Sequence, residues 1–270
     1  MVKNILLIRG LSREASHWGS FPEQLSNETG LKVFCIDLPG AGEFHQLNAP
    51  LSISGNTEFL RKRWSCLKSE NEGQWFILGV SLGGMVCLDW ALNHNTDALG
   101  FFVLNSSVKG VGSLFERMSP FAMRLISKAF FAKGEAHEEL IYKLTSVKDP
   151  NSDEARELIS TWASYKKKRP MTRINFFRQV AAAATYQLEN KVLNNLTFLA
   201  GKDDRLCHYS NSIKLAKLLN CPVFLCHENA GHDFALDRPD FIIDHLKTAM
   251  CSLNKPPASK DNVSSVSSFV

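Results

Sequence analysis

No apolar run in the chain approaches the ~18 residues that a membrane span needs, and ahead of Arg9 only Ile5 to Ile8 is uniformly apolar. A secretory signal needs a longer hydrophobic stretch, so the sequence reads as cytoplasmic and without a membrane span. The seven cysteines, from Cys35 to Cys251, form no C-x-x-C pair and no Cys/His spacing of the zinc type. That argues for a reducing compartment and against a structural metal. Neither sign of charge dominates: Lys+Arg 31 against Asp+Glu 27 leaves +4, short of the basic footprint of a nucleic-acid binder. Glycine-rich segments exist, but Gly79 to Gly84 lacks the G-K-[ST] of a phosphate loop and Pro39-Gly40-Ala41-Gly42 lacks G-x-G-x-x-G spacing, which removes a nucleotide site.

What is present is an alternation of short apolar runs with helix-patterned segments. Ile5–Ile8, Val33–Ile36, Trp75–Leu78, Phe101–Leu104, Leu196–Ala200 and Val223–Cys226 lack polar alternation and predict parallel strands covered on both faces. The reading is an α/β fold with a mostly parallel sheet of about six strands flanked by helices. The alternation breaks between Leu104 and Leu196, too far for an ordinary connection. A helical insertion is predicted there, with helices around Phe115 to Phe130, Glu135 to Leu144, Ser152 to Tyr165 and Thr172 to Leu188. The core is then 1–107 and 191–251, the insertion 108–190, and 252–270, rich in Ser, Lys and Pro, a disordered tail. From Val108 to Asn190 there are 14 Lys+Arg and 9 Asp+Glu, so the insertion carries all of the positive excess.

Chemistry enters at Gly79-Val80-Ser81-Leu82-Gly83, a G-x-S-x-G between a strand and a helix pattern. Glycines flank the serine because a sharp strand-to-helix turn needs them, and the hydroxyl then projects at the carboxyl edge of the sheet. Ser81 is the candidate nucleophile, and the N–H of Leu82, at the helix start, a candidate oxyanion donor. A serine needs a base held by an acid. Both follow in order: Asp203-Asp204 leaves the fifth run, and Gly231-His232 follows the sixth. Either aspartate could serve from this turn. His232 lies in a loop able to reach the serine, whereas His227 sits at a strand end; His17, His45 and His208 read as loop histidines.

With these motifs the chain resembles the α/β-hydrolase fold superfamily from about Lys3 to Leu246, and within it serine carboxylesterases such as the pimeloyl-carrier methyl esterases. Asp37-Leu38-Pro39-Gly40-Ala41-Gly42 is similar to its D-x-P-G-x-G loop, and Arg9-Gly10-Leu11 with Trp18 to its oxyanion strand and trailing tryptophan. The resemblance implies a catalytic set of Ser81, Asp204 (three after Gly201) and His232, with the N–H of Leu11 as second oxyanion donor and the insertion as a helical lid. It implies a serine hydrolase of carboxylic esters or thioesters working through an acyl-enzyme, with no cofactor. The alternative is a non-hydrolytic binding module on this scaffold or a cofactor-free lyase.

The sequence departs from the family where Arg9 replaces the usual histidine before the glycine. Arg9 either anchors loops or receives a substrate carboxylate. The chain also starts at the family's third strand, which predicts the absence of the first hairpin. The aromatic residues of the insertion, from Phe115 to Tyr186, would mostly pack its helices, and a minority facing Ser81 would line an acyl pocket. The basic run of Arg156, Lys166, Lys167, Lys168, Arg169, Arg173 and Arg178 reads either as a solvated face or as a face that docks an acidic acyl carrier protein.

Overall fold

A computed structural model of the chain describes residues 3–188 and 192–253. Each of the six apolar runs is a strand: β1 (Lys3–Ile8), β2 (Lys32–Cys35), β3 (Gln74–Val80), β4 (Gly100–Leu104), β5 (Leu196–Gly201) and β6 (Val223–Cys226). They form one parallel sheet in the order β2-β1-β3-β4-β5-β6. Alternate side chains feed two cores. Leu6, Ile8, Ile77 and Val103 join one apolar cluster, and Ile5, Leu7, Phe76 and Phe102 join the other.

Helices α1 (Phe21–Thr29), α2 (Ile53–Glu70) and α3 (Leu82–Asn93) connect the first four strands. The first cluster packs under α2 and α3 through Leu60, Trp64 and Leu88. α1 covers the opposite face through Phe21 and Leu25. Burying such a side chain is worth ~1.5–3 kcal/mol each, which is why the strands need no alternation.

Between β4 and β5 lie five helices: α4 (Leu114–Arg117), α5 (Pro120–Phe131), α6 (Gly134–Thr145), α7 (Asp153–Lys168) and α8 (Arg173–Thr185). The single helix expected from Phe115 to Phe130 is two. Ser119 caps Ala122 N–H, and Pro120 takes the first turn of α5, a position where its missing N–H is harmless and a preceding helix must stop. The last insertion helix ends at Thr185 rather than Leu188. α7 starts on a Ser152 cap with Asp153 and Glu154 in its first turn and ends with Lys166 to Lys168 in its last, charges that complement its dipole. The chain closes with α9 (Ser210–Leu219) before β6 and α10 (Phe234–Asp237) and α11 (Pro239–Leu253) after it. The stretch 254–270, most of the expected tail, lies outside the described residues, as do 189–191 at the end of the insertion.

The order of strands positions the site. From β1 the chain moves outward to β2, then crosses back to place β3 on the other side of β1. Loops leaving β1 and β3 therefore diverge at a switch point, where an open parallel sheet forms its crevice. Ile8 is paired with Gly79 in the register, so Gly10 and Ser81 emerge side by side.

Candidate active site

Ser81 occupies the turn from β3 to α3 with φ 58 and ψ −118, a conformation an L-residue holds only when its surroundings enforce it. Its N–H donates to Leu104 O at 2.9 Å, and its carbonyl accepts from Ser106 Oγ at 2.9 Å and Met85 N–H at 3.0 Å. A Cβ at Gly79 would stand 2.1 Å from Gly83 O, so the turn closes only on glycine. At Gly10 a Cβ would stand 3.0 Å from Ser81 Cβ, which brings the Gly10-Leu11 backbone against the serine. Leu82 is the first residue of α3, where an N–H has no acceptor within its own helix.

The structure separates the two aspartates after β5. Asp204 Oδ2 lies 2.7 Å from His232 Nδ1, and its Oδ1 accepts the N–H groups of Leu206 and Cys207 at 2.8 and 2.9 Å. Asp203 turns away, its Oδ2 accepting Ala230 N–H at 3.4 Å. Asp204 and His232 are both buried, and His232 and Ser81 line the same cavity. With Nδ1–H donated to the carboxylate, His232 carries its lone pair on Nε2.

Three residues that sequence reasoning missed hold this pair. Asn105, just past β4 with φ 44, donates Nδ2 to the carbonyls of Gly231 and His232 at 2.9 and 3.1 Å and accepts Gly201 N–H at 2.9 Å. The one signal was an asparagine closing an apolar strand, since asparagine tolerates left-handed backbone. Asp237 accepts Gly231 N–H, Val147 N–H and Ser146 Oγ–H at 2.8, 3.2 and 2.6 Å, joining the histidine loop to the end of α6. Burial raises its carboxyl to about 6, with the charge of Asp233 adding to the rise. Asp233 takes the whole fork of Arg9, at 3.0 and 2.7 Å. Both are buried, and the guanidinium lies 4.7 Å from the Trp18 ring centroid. Both terminal nitrogens of Arg9 are engaged on Asp233, and its Nε is buried without a partner among the described residues.

The insertion roofs the site. A cavity of about 320 Å³ runs between the strand ends and α5–α8, lined by Ser81, His232, Arg9 and Leu11 below and by Phe130 and Phe176 among others above. Buried Gln179 of α8 accepts Ser12 N–H at 3.1 Å and donates to Pro39 O at 3.2 Å, tying the loops after β1 and β2 together. Arg13 pairs with buried Glu138 at 2.6 Å, and Arg169 with buried Glu14 at 2.6 Å. The basic run thus does not form one outward face: Lys166 and Arg169 turn into the cavity, Arg178 Nε donates to Ala49 O, and Lys167 and Lys168 face solvent. Docking of an acidic carrier gains no support from this arrangement. Asp37 of the Asp37-to-Gly42 loop is structural, accepting the N–H groups of Ala15 and Glu43. Among the described residues no helix is long and apolar enough to cross a membrane.

The chain is similar to known proteins. Human monoacylglycerol lipase ABHD6 is 27% identical over 268 residues, covering 90% of this chain and 75% of its own. A candidate lipase of Acinetobacter baumannii AYE superposes with a TM-score of 0.74 at 21% identity, over 93% of this chain and 84% of its own. A thermophilic esterase of Thermogutta terrifontis does so with a TM-score of 0.68 at 16% identity, over 93% and 90%. The model of the alpha/beta hydrolase fold family matches residues 3–239, nearly the whole described chain including the serine turn, the aspartate and the histidine, so the chain belongs to the alpha/beta hydrolase fold family.

Proposed function

We propose that the protein is a serine hydrolase of carboxylic esters or thioesters, with Ser81 as nucleophile, His232 as base and Asp204 as the acid that orients it. The observation that carries this reading is the buried 2.7 Å Asp204–His232 contact opening onto the cavity that holds Ser81 in its strained turn. His232 Nε2 takes the Ser81 proton as Oγ attacks the ester carbonyl. The N–H groups of Leu11 and Leu82 receive the oxyanion, and Nε2 returns the proton to the leaving alcohol or thiol. Water, activated by the same histidine, releases the acyl group. The apolar surface contributed by the insertion serves the acyl chain, which makes the insertion a lid over the site. The relatives called lipases and esterases support a lipid-like ester as substrate.

The test is hydrolysis of para-nitrophenyl and thioester acyl series by wild type and Ser81→Ala, with fluorophosphonate labelling alongside. Activity that disappears in Ser81→Ala is the expected result. A wild type that neither turns over any ester nor takes the label at Ser81 would return the protein to the binding-module reading.

A further inference from the structure

The cavity lining is mixed. Ile126, Phe130, Ile141 and Leu206 supply apolar surface, whereas Arg13, Glu14, His17, Glu138, Lys166 and Arg169 form a linked polar wall. Charge there is unbalanced. The lining as a whole has six basic residues against three acidic ones, and each acidic one, Glu14, Glu138 and Asp233, is already paired with an arginine. Lys133, Arg173 and Lys166, which shares Glu138 with Arg13 at 3.8 Å, make up the excess.

Three donors on this wall, His17 Nε2, Arg13 Nη2 and Arg169 Nε, have no acceptor among the described residues. His17 Nδ1 lies 3.0 Å from the N–H of Glu14 and 3.2 Å from Glu14 O, which already accepts His17 N–H at 2.9 Å; with Nδ1 accepting from Glu14 N–H, the ring proton sits on Nε2. Burial, with Arg13 and Arg9 nearby, holds this imidazole well below its ordinary pKa and so neutral. His17 is only 7% exposed, and Nε2 has no acceptor among the described residues. Arg13 uses Nη1 on Glu138, while Nη2 is buried without a partner. The guanidinium is fixed over the Trp162 ring at 4.1 Å, and His17 is held in ring contact with Trp162 and Tyr165. A buried donor left unmatched is unfavourable, and a ligand that supplies acceptor oxygens removes that cost. A hydroxyl would satisfy the donors and leave the positive excess unanswered; an oxyacid anion answers both.

We propose that this wall is a subsite for an anionic oxyacid group, a carboxylate or a phosphate, carried by the ester substrate and received by His17 Nε2 and Arg13 Nη2. The proposal rests on the ester-hydrolase reading above and names its substrate class: esters that join an apolar chain to an anionic group. Arg9 holds Asp233 with both terminal nitrogens and is left out of the subsite.

Matched substrates test it. Mono-para-nitrophenyl glutarate against para-nitrophenyl pentanoate places a carboxylate on the acyl side. Decanoyl lysophosphatidate against monodecanoylglycerol places a phosphate on the alcohol side. In wild type the charged member of at least one pair is expected to have a kcat/KM about tenfold higher, through KM, and which pair shows it identifies the anion and its side. That ratio falls to about one in His17→Phe, which keeps the ring contacts, and in Arg13→Lys, which keeps the charge opposite Glu138. Because the ratio is taken within each variant, a general loss of activity does not mimic the effect. Calorimetric binding of glutarate and of glycerol phosphate is measured on the same proteins and needs no catalysis. Wild type that binds an anion but cleaves no ester would remove the hydrolase reading and keep the subsite. Wild type that cleaves both members of each pair equally and binds neither anion would overturn the subsite alone, as would a preference unchanged in both variants.

Discussion

Ser81 is held at a positive φ by its hydrogen bonds to Leu104 and Ser106, and an L-residue there stores ~1–3 kcal/mol. Glycine enters that region freely. Ser81→Gly is therefore expected to abolish turnover while raising the melting temperature, by roughly 2–4 °C for about 1 kcal/mol in a chain of this size; a lowered melting temperature would contradict the strain. The neighbouring aspartates give a second contrast. Asp204→Asn puts an amide donor against His232 Nδ1 and favours the wrong tautomer, so kcat should fall by ~10³–10⁴ with the fold intact. Asp203→Asn should stay within about twofold of wild type, since that carboxylate serves only the Ala230 backbone. Sequence spacing favours Asp204 through the family pattern but does not contain the direction in which each carboxylate turns, Asp204 to His232 and Asp203 to Ala230. His17 shows the opposite case. It reads as a loop histidine, and nothing local in the sequence announces that Glu14 and Arg13 leave its Nε2 buried and free.

Elements meet at Asn105, which binds the end of β5 through Gly201 and the histidine loop through two carbonyls. Asn105→Asp keeps the acceptor for Gly201 but aims a carboxylate oxygen at the carbonyls of Gly231 and His232. Stability is expected to drop by ~1–3 kcal/mol in urea unfolding, with kcat falling more than KM rises because His232 loses its support. All six strands were legible because full burial on both faces leaves an unbroken apolar run. The insertion was less so. Its helices showed by spacing, yet the break between α4 and α5 is written in Ser119-Pro120 rather than in periodicity. Gln179, which locks the loops after β1 and β2, sits in α8 without any motif. A polar side chain at one turn of a helix does not reveal a partner that is 140 or 167 residues away.

Over the whole molecule, Arg9 and Asp233 fasten the first strand's exit to the last loop across 224 residues. The sequence offered Arg9 as an oddity and His232 as a base, and their connection through the next residue was not readable from either. Arg9→Met leaves a buried carboxylate beside the base, and a loss of ~3–5 kcal/mol is expected. Arg9→Met with Asp233→Leu should recover much of that loss in denaturant unfolding, although its activity need not return. Asp237 adds a pH dependence. Its folded carboxyl is raised from 3.8 to about 6 by burial, so the folded state keeps a proton that the unfolded chain releases. Stability contributed by that proton declines as pH rises from about 4 through about 6, and levels off above. Asp237→Asn, which retains an acceptor for Gly231 and Val147, should flatten this decline when unfolding is compared at about pH 4.5 and about pH 7.

The insertion also sets the timetable on which the sheet is made. β1 to β4 are complete by Leu104, but β5, which pairs with β4, begins only at Leu196. At the usual pace of synthesis, 5–20 residues per second, those roughly 90 residues take about 5–18 s. Throughout that interval β4 is the bare edge of a growing sheet, and its Phe101–Leu104 run is the kind of strand that pairs with strangers. The partner that finally covers the edge, β5, is thus the last part of that pairing to be made.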